Sequence, residues 1–102
     1  MLSKSNLVFH PGDYLKDELN ARNINQNKFA KILGKSNPVV SELINGKRNI
    51  TAEWAIIIGQ ALDQDPQTWM NLQHIYDLHV ARQKIPQEKL NSIIDRRNLA
   101  LV

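Results

Sequence analysis

Four small polar residues, Ser36, Asn37, Ser41 and Asn45, recur at a spacing that lines one side of a helix, while Val40, Leu43 and Ile44 fall on the other. Hydroxyl and carboxamide groups both donate and accept hydrogen bonds, and a carboxamide can pair with adenine through two bonds at once. Gln26, Lys35, Lys47 and Arg48 stand near the ends of the same stretch, where phosphates would run. The chemistry implied is recognition of a polyanion with a patterned edge, with the charged residues positioning and the small polar residues reading. Pro38 lies within the same polar side and carries neither donor nor acceptor, so the contact it suits is an apolar one, such as a thymine methyl.

Bond-making chemistry finds little support. The three histidines are His10, His74 and His79. His74 and Asp77 are three apart on one helix, but His79 is five from His74 and faces elsewhere, so the three or four convergent ligands of a zinc site do not assemble. The absence of cysteine removes thiolate sites, disulfides and cysteine nucleophiles together. No glycine-rich phosphate loop or nucleophile motif is present. The expectation is a protein that is not an enzyme, with no metal and no cofactor.

Charge is segregated along the chain. Residues 22–48 hold six basic residues against Glu42 alone, a balance of +5, within a net charge of +3 for the whole. Residues 49–81 hold no Lys or Arg but carry Glu53, Asp63, Asp65 and Asp77, a balance of −4, and in residues 82–102 five basic residues outweigh Glu88 and Asp95 to give +3. A basic block is the electrostatic footprint of a polyanion binder, although charge patterning alone also describes a solvated face.

These residues need elements to hold them, and the sequence reads as helices. His10-Pro11-Gly12 starts a first helix, with Asp13, Asp17 and Glu18 in its early turns, and Asn23-Ile24-Asn25 stops it. A second spans Gln26 to Leu33, with Gly34 as a left-handed terminator. Ser36 reads as the N-cap of a third, which tolerates Pro38 in its first turn and closes at Asn45-Gly46. Thr51 caps a fourth running to about Leu62, with Trp54, Ile57, Ile58, Ala61 and Leu62 as its apolar stripe. Asp65-Pro66 opens a long fifth to about Lys84, and Gln87 to Arg97 forms a short last one. The one strand candidate is Asn6-Leu7-Val8-Phe9. With 102 residues, 42% apolar and 23% charged, the chain fits a single domain. No apolar run approaches the roughly 20 residues that span a bilayer, and Met1 to Asn6 has no apolar core like that of a signal peptide, so a cytoplasmic location with no membrane partner is expected.

Two short helices joined by a glycine turn, with small Ala30 where the second must approach, have the layout of a helix-turn-helix unit. In such a unit the second helix enters the major groove and presents its N-terminal residues to base edges. The fifth helix is apolar on more than one side. Trp69, Leu72 and Tyr76 share a face with His79, while Met70, Ile75 and Leu78 spread apolar surface further round. A two-fold homodimer through this helix, joined by Ile56 of the fourth, would bury it. The alternative is that Leu90, Ile93, Ile94, Leu99 and Leu101 fold back and cover the same surface.

The run Gln26-Asn27-Lys28-Phe29-Ala30-Lys31-Ile32-Leu33-Gly34-Lys35-Ser36, followed by Leu43-Ile44-Asn45-Gly46-Lys47-Arg48, resembles the Cro/lambda-repressor (XRE) helix-turn-helix class. His10-Pro11-Gly12 with Leu15 and Leu19 is similar to the opening of HigA-type antitoxins. Trp69-Met70-Asn71-Leu72-Gln73, then Tyr76-Asp77-Leu78 and Ala81-Arg82, is similar to their fifth-helix signature. The resemblance spans about residues 7 to 84 and leaves residues 85–102 outside. It implies an all-α, five-helix bundle of the lambda-repressor-like type, to which the pattern of Gln87 to Arg97 adds a short additional C-terminal helix. The expected organisation is a helix-turn-helix domain over 1–84 with a dimerisation helix at 66–84, and an extension of the same domain over 85–102. The resemblance implies two partners: double-stranded operator DNA, met by Gln26, Asn37, Ser41, Asn45 and Lys47, and a toxin of the HigB type, a ribosome-dependent mRNA endonuclease. Two other readings stay open, a stand-alone repressor of the same fold without a toxin and an interaction module that no longer reads DNA.

Overall fold

The computed structural model describes residues 8–102, in the order α1 (Pro11–Ala21), α2 (Gln26–Leu33), α3 (Asn37–Ile44), α4 (Ala52–Leu62), α5 (Pro66–Lys84) and α6 (Gln87–Ala100). The caps explain most of these boundaries. Asn25 accepts a hydrogen bond from the Lys28 N–H at 2.8 Å, Thr51 from the Trp54 N–H at 3.2 Å, and Asp65 from the Gln67 N–H at 2.9 Å. Each satisfies a donor that the first turn of a helix leaves orphaned. Ser36 holds the N-cap position of α3 in extended backbone, but its hydroxyl makes no capping bond. The last helix runs three residues past Arg97, to Ala100. Asn6 and Leu7 of the strand candidate lie outside the described residues; Val8 and Phe9 belong to no strand.

The core is drawn from the first five helices and one loop. Leu15 and Leu19 of α1 meet Phe29 and Ala30 of α2, Val40 and Leu43 of α3, Ile50, Ala55, Ile58 and Leu62 of α4 and the loop before it, and Trp69 of α5. α4 packs along α5, α2 against α3 and α4, and α1 against α3 and α5. Gly12 is where α1 crosses the end of α3: a Cβ there would stand 2.2 Å from the Leu43 carbonyl oxygen and 2.8 Å from that of Ile44.

Two helices sit differently from their sequence pattern. The buried line of α4 is Ala55, Ile58, Gly59 and Leu62, while Trp54 and Ala61 are half-buried. The helix is apolar nearly all round, so period alone could not fix its phase; Gly59 helps decide it, since a Cβ there would stand 2.6 Å from the Gln64 carbonyl oxygen. In α5 the buried line is Trp69 and Gln73. Trp69 is 1% exposed, and its indole N–H donates to Gln64 Oε1 at 3.0 Å. It is a core residue of this chain, which corrects its assignment to a dimer face.

α6 buries none of its residues. Ile85 and Pro86, both extended, turn it away from the bundle, and the molecule measures 59 × 33 × 22 Å. Its radius of gyration is 18.1 Å, against about 13 Å for a compact domain of this length. The C-terminal segment therefore does not fold back over α5. No described helix is long and apolar enough to cross a membrane.

Candidate nucleic-acid interface

The turn between α2 and α3 is set by Gly34, at φ +66°, in the left-handed region that costs a residue with a Cβ. Around it the Lys35 N–H reaches the Ala30 carbonyl at 3.0 Å and the Gly34 N–H that of Lys31 at 3.2 Å, the paired bonds of a Schellman turn. Val40 and Leu43 are fully buried, so the opposite side of α3 must face out. That side carries Ser36, Asn37, Pro38 and Asn45, all exposed, and Ser41, half-buried.

Several of these groups are already oriented. Gln26 Nε2 donates to the Asn37 carbonyl at 3.3 Å, which joins the first residue of α2 to the first of α3. Asn45 Nδ2 donates to Ser41 Oγ at 3.1 Å, one turn apart along the face. The Asn45 amide oxygen is thereby turned away from Ser41, available as an acceptor. Lys47 is exposed, just past Gly46, at φ +73°. Arg48 lies 3.5 Å from Glu42, and Arg22 pairs with Glu18, so two cations of the basic block have carboxylate neighbours. Lys35 rests with its ammonium 5.7 Å from the Trp54 ring centroid, a cation–π contact that ties the turn to α4.

The loop that carries Lys47 and Arg48 rests on residues whose role the sequence did not reveal. His10 Nδ1 accepts from the Gly12 N–H at 2.9 Å, capping α1, while its Nε2 lies 3.4 Å from Asn49 Oδ1. Its ring packs against Gly46 and edge-on against Tyr76, with centroids 4.8 Å apart. The Ile50 N–H donates to buried Gln73 Oε1 at 2.7 Å, and Gln73 Nε2 donates to Asp77 Oδ1 at 2.9 Å. His10, Asn49 and Gln73 thus fasten the end of the loop to α1 and α5. Gln73 is one of many polar residues of α5, and nothing in the sequence marked it as the buried one.

The residues expected at a dimer contact divide. Ile75 and Leu78 are 56% and 53% exposed on α5, and Met70, Leu72 and Tyr76 are half-buried, the last engaged with His10. Ile56 is exposed but faces α2, over a shallow apolar groove of about 540 Å³ lined also by Ile32, Leu33 and Ile57. His74 and His79 lie on α5 without assembling a ligand set; His79 Nε2 is 3.2 Å from Gln83 Nε2. Among the described residues no three His, Asp or Glu side chains stand together as metal ligands.

Two short helices at a left-handed glycine, the second with its apolar side in the core and its polar side outward, define a helix-turn-helix protein. The helix-turn-helix family model matches residues 15–69. The virulence-associated protein I of Dichelobacter nodosus is 34% identical over 99 residues, spanning 92% of this chain and 90% of that one. Antitoxin HigA-1 of Vibrio cholerae is 37% identical over 78 residues, 76% of this chain and 73% of its own. The solved structure of Pseudomonas aeruginosa antitoxin HigA with the higBA promoter superposes with a TM-score of 0.72 at 37% identity, covering 76% of this chain and 86% of that one. The chain belongs to the XRE-type helix-turn-helix family, in its HigA group. That family consists of DNA-binding regulators and antitoxins and is not a class of enzymes.

Proposed function

We propose that this protein is the antitoxin of a type II toxin–antitoxin pair, acting in the cytoplasm. It binds and neutralises a HigB-type mRNA endonuclease and, as a homodimer on a palindromic operator, represses its own operon. The observation that carries the reading is the match to HigA antitoxins over about three quarters of the chain, 76% in each case, among them one solved with promoter DNA. The exposed side of α3 supports the DNA half. Asn37, Ser41 and Asn45 read base edges; Ser36 and Pro38 line the same entrance, and Gln26 fixes its geometry. Lys35, Lys47 and Arg48 meet phosphates. Residues 1–84 form the helix-turn-helix domain with its dimer helix, and 85–102 extend it. Exposed Ile75 and Leu78, flanked by Met70 and Leu72, support the homodimer, since two-fold symmetry places two reading helices about 34 Å apart, one turn of DNA.

The test is expression of the reading frame adjacent to this gene, with and without this protein, while growth is followed. Arrest that this protein relieves is the expected result. No arrest, or arrest without relief, overturns the antitoxin half and leaves a stand-alone repressor. A footprint on the DNA upstream of the gene tests the other half, with a protected palindrome as the expected result.

A further inference from the structure

The loop between α3 and α4 carries Lys47 and Arg48, and its two ends are held in different ways. At its start the Lys47 N–H donates to the Glu42 carbonyl at 2.9 Å, so α3 itself fixes it. Its end is held by a side chain. The N–H of Ile50, a residue 2% exposed, donates to Gln73 Oε1 of α5 at 2.7 Å. A buried N–H left unmet is costly, so the loop end follows that oxygen. Asp77 in turn places the oxygen. Gln73 is 3% exposed, and its Nε2 donates to Asp77 Oδ1 at 2.9 Å, one turn further along α5. A backbone N–H can only donate and a carboxylate can only accept, so one orientation of the amide serves both neighbours. Gln73, Tyr76 and Asp77 all belong to the α5 run that resembles the HigA signature, and all bear on this loop. Tyr76 meets the His10 ring edge-on, and that ring packs against Gly46.

We propose that Asp77 is a positioning residue for DNA binding. It fixes the Gln73 amide, the amide holds the Ile50 N–H, and the loop so anchored presents Lys47 and Arg48 to phosphates. The inference rests on the DNA half of the proposed function, and it gives that half a residue beyond the 15–69 that the family model matches. Charge alone argues for the opposite effect. Asp77 is exposed, and removing a carboxylate from a polyanion binder ordinarily strengthens binding. The sign of the effect therefore separates positioning from charge.

The test measures binding of the full chain to duplex DNA of arbitrary sequence across a salt series. Circular dichroism melts set a temperature at which every variant is folded. Asp77→Ala should weaken binding about tenfold at fixed salt and lower the slope of log affinity against log salt by about one. Asp77→Asn keeps an oxygen that can accept from Gln73, and should bind as tightly as the wild type or more so. Gln73→Glu sets two carboxylates against each other and should behave like Asp77→Ala. The exchange Gln73→Glu/Asp77→Asn should restore binding, because donor and acceptor trade places within the pair while Ile50 keeps an acceptor. Asn71→Ala removes the comparable Gln67–Asn71 bond, 2.9 Å on the same helix, and should change nothing. Hydrogen exchange at the Ile50 amide should quicken in Asp77→Ala but not in Asp77→Asn. Binding by Asp77→Ala as tight as the wild type, or tighter, overturns the inference and leaves the DNA reading standing. So does an exchange variant that folds without restoring the salt slope. A wild-type chain that binds no duplex overturns both.

Discussion

Along the exposed side of α3, residues differ in how much of their bonding capacity is already committed, and this decides what their loss does. Asn37 is the exposed first residue of the helix and bonds through its backbone carbonyl, so under the proposed function its replacement by alanine removes base contacts alone. Ser41 and Asn45 are bonded to each other, so Ser41→Ala also releases the Asn45 amide. Asn37→Ala and Ser41→Ala should each reduce discrimination for operator over random duplex by about 1–3 kcal/mol, measured by fluorescence anisotropy. The Ser41→Ala and Asn45→Ala losses should be less than additive, because they break one bonded pair. Lys47 and Arg48 form a second contrast. Both are adjacent cations, but Arg48 has Glu42 beside it and Lys47 has no carboxylate neighbour among the described residues. Lys47→Ala should weaken binding to every sequence and lower the slope of log affinity against log salt by about one. Arg48→Ala should do less, and Glu42→Gln should strengthen binding by freeing Arg48. Equal slopes for the two alanine variants would show that the ion pair opens on DNA.

The helices were legible from the sequence where a local device marks them. Asn25, Gly34, Thr51 and Asp65-Pro66 each act within a turn of their own position: α2 starts and stops, and α4 and α5 start, where those residues put them. What depends on distant residues was not legible. The phase of α4 follows from the close approach of the Gln64 carbonyl that Gly59 allows, and burial of Gln73 is set by the Ile50 N–H, 23 residues away. The two glycines that shape this unit separate the same two kinds of cause. At Gly34 a Cβ meets nothing within 4 Å, so Gly34→Ala costs only the left-handed backbone, about 1–2 kcal/mol. At Gly12 the backbone is ordinary, but a Cβ collides with the Leu43 carbonyl, and α1 must move off α3. Gly12→Ala should therefore cost about 3 kcal/mol or more in urea melts, larger than Gly34→Ala although its φ is unremarkable. The reverse order would mean that α1 and α3 can separate without loss.

On the scale of the whole molecule, the sequence exposed the segregation of charge and the excess of apolar surface on α5, but not where either goes. Periodicity grouped Trp69 with Leu72 and Tyr76; the structure encloses Trp69 and leaves Ile75 and Leu78 on the surface. A buried indole and an exposed leucine look alike in a sequence, because both are apolar residues on a helix apolar on several sides. The distinction has a measurable consequence. Leu78→Asp leaves the core untouched, so the bundle should melt near the wild-type temperature while the dimer dissociates. Operator binding should then fall steeply, by about 10²-fold or more, because two half-sites are no longer linked through one protein. Affinity for an isolated half-site, measured on a short duplex, should change little, since α3 and its loop are intact in the monomer. Trp69→Ala should behave oppositely, destabilising the bundle by about 3–5 kcal/mol and lowering operator and half-site binding together. If Leu78→Asp lowered half-site affinity as strongly as operator affinity, this face of α5 would be acting on the reading helix within one chain, and the two-fold arrangement would have to be built from another surface.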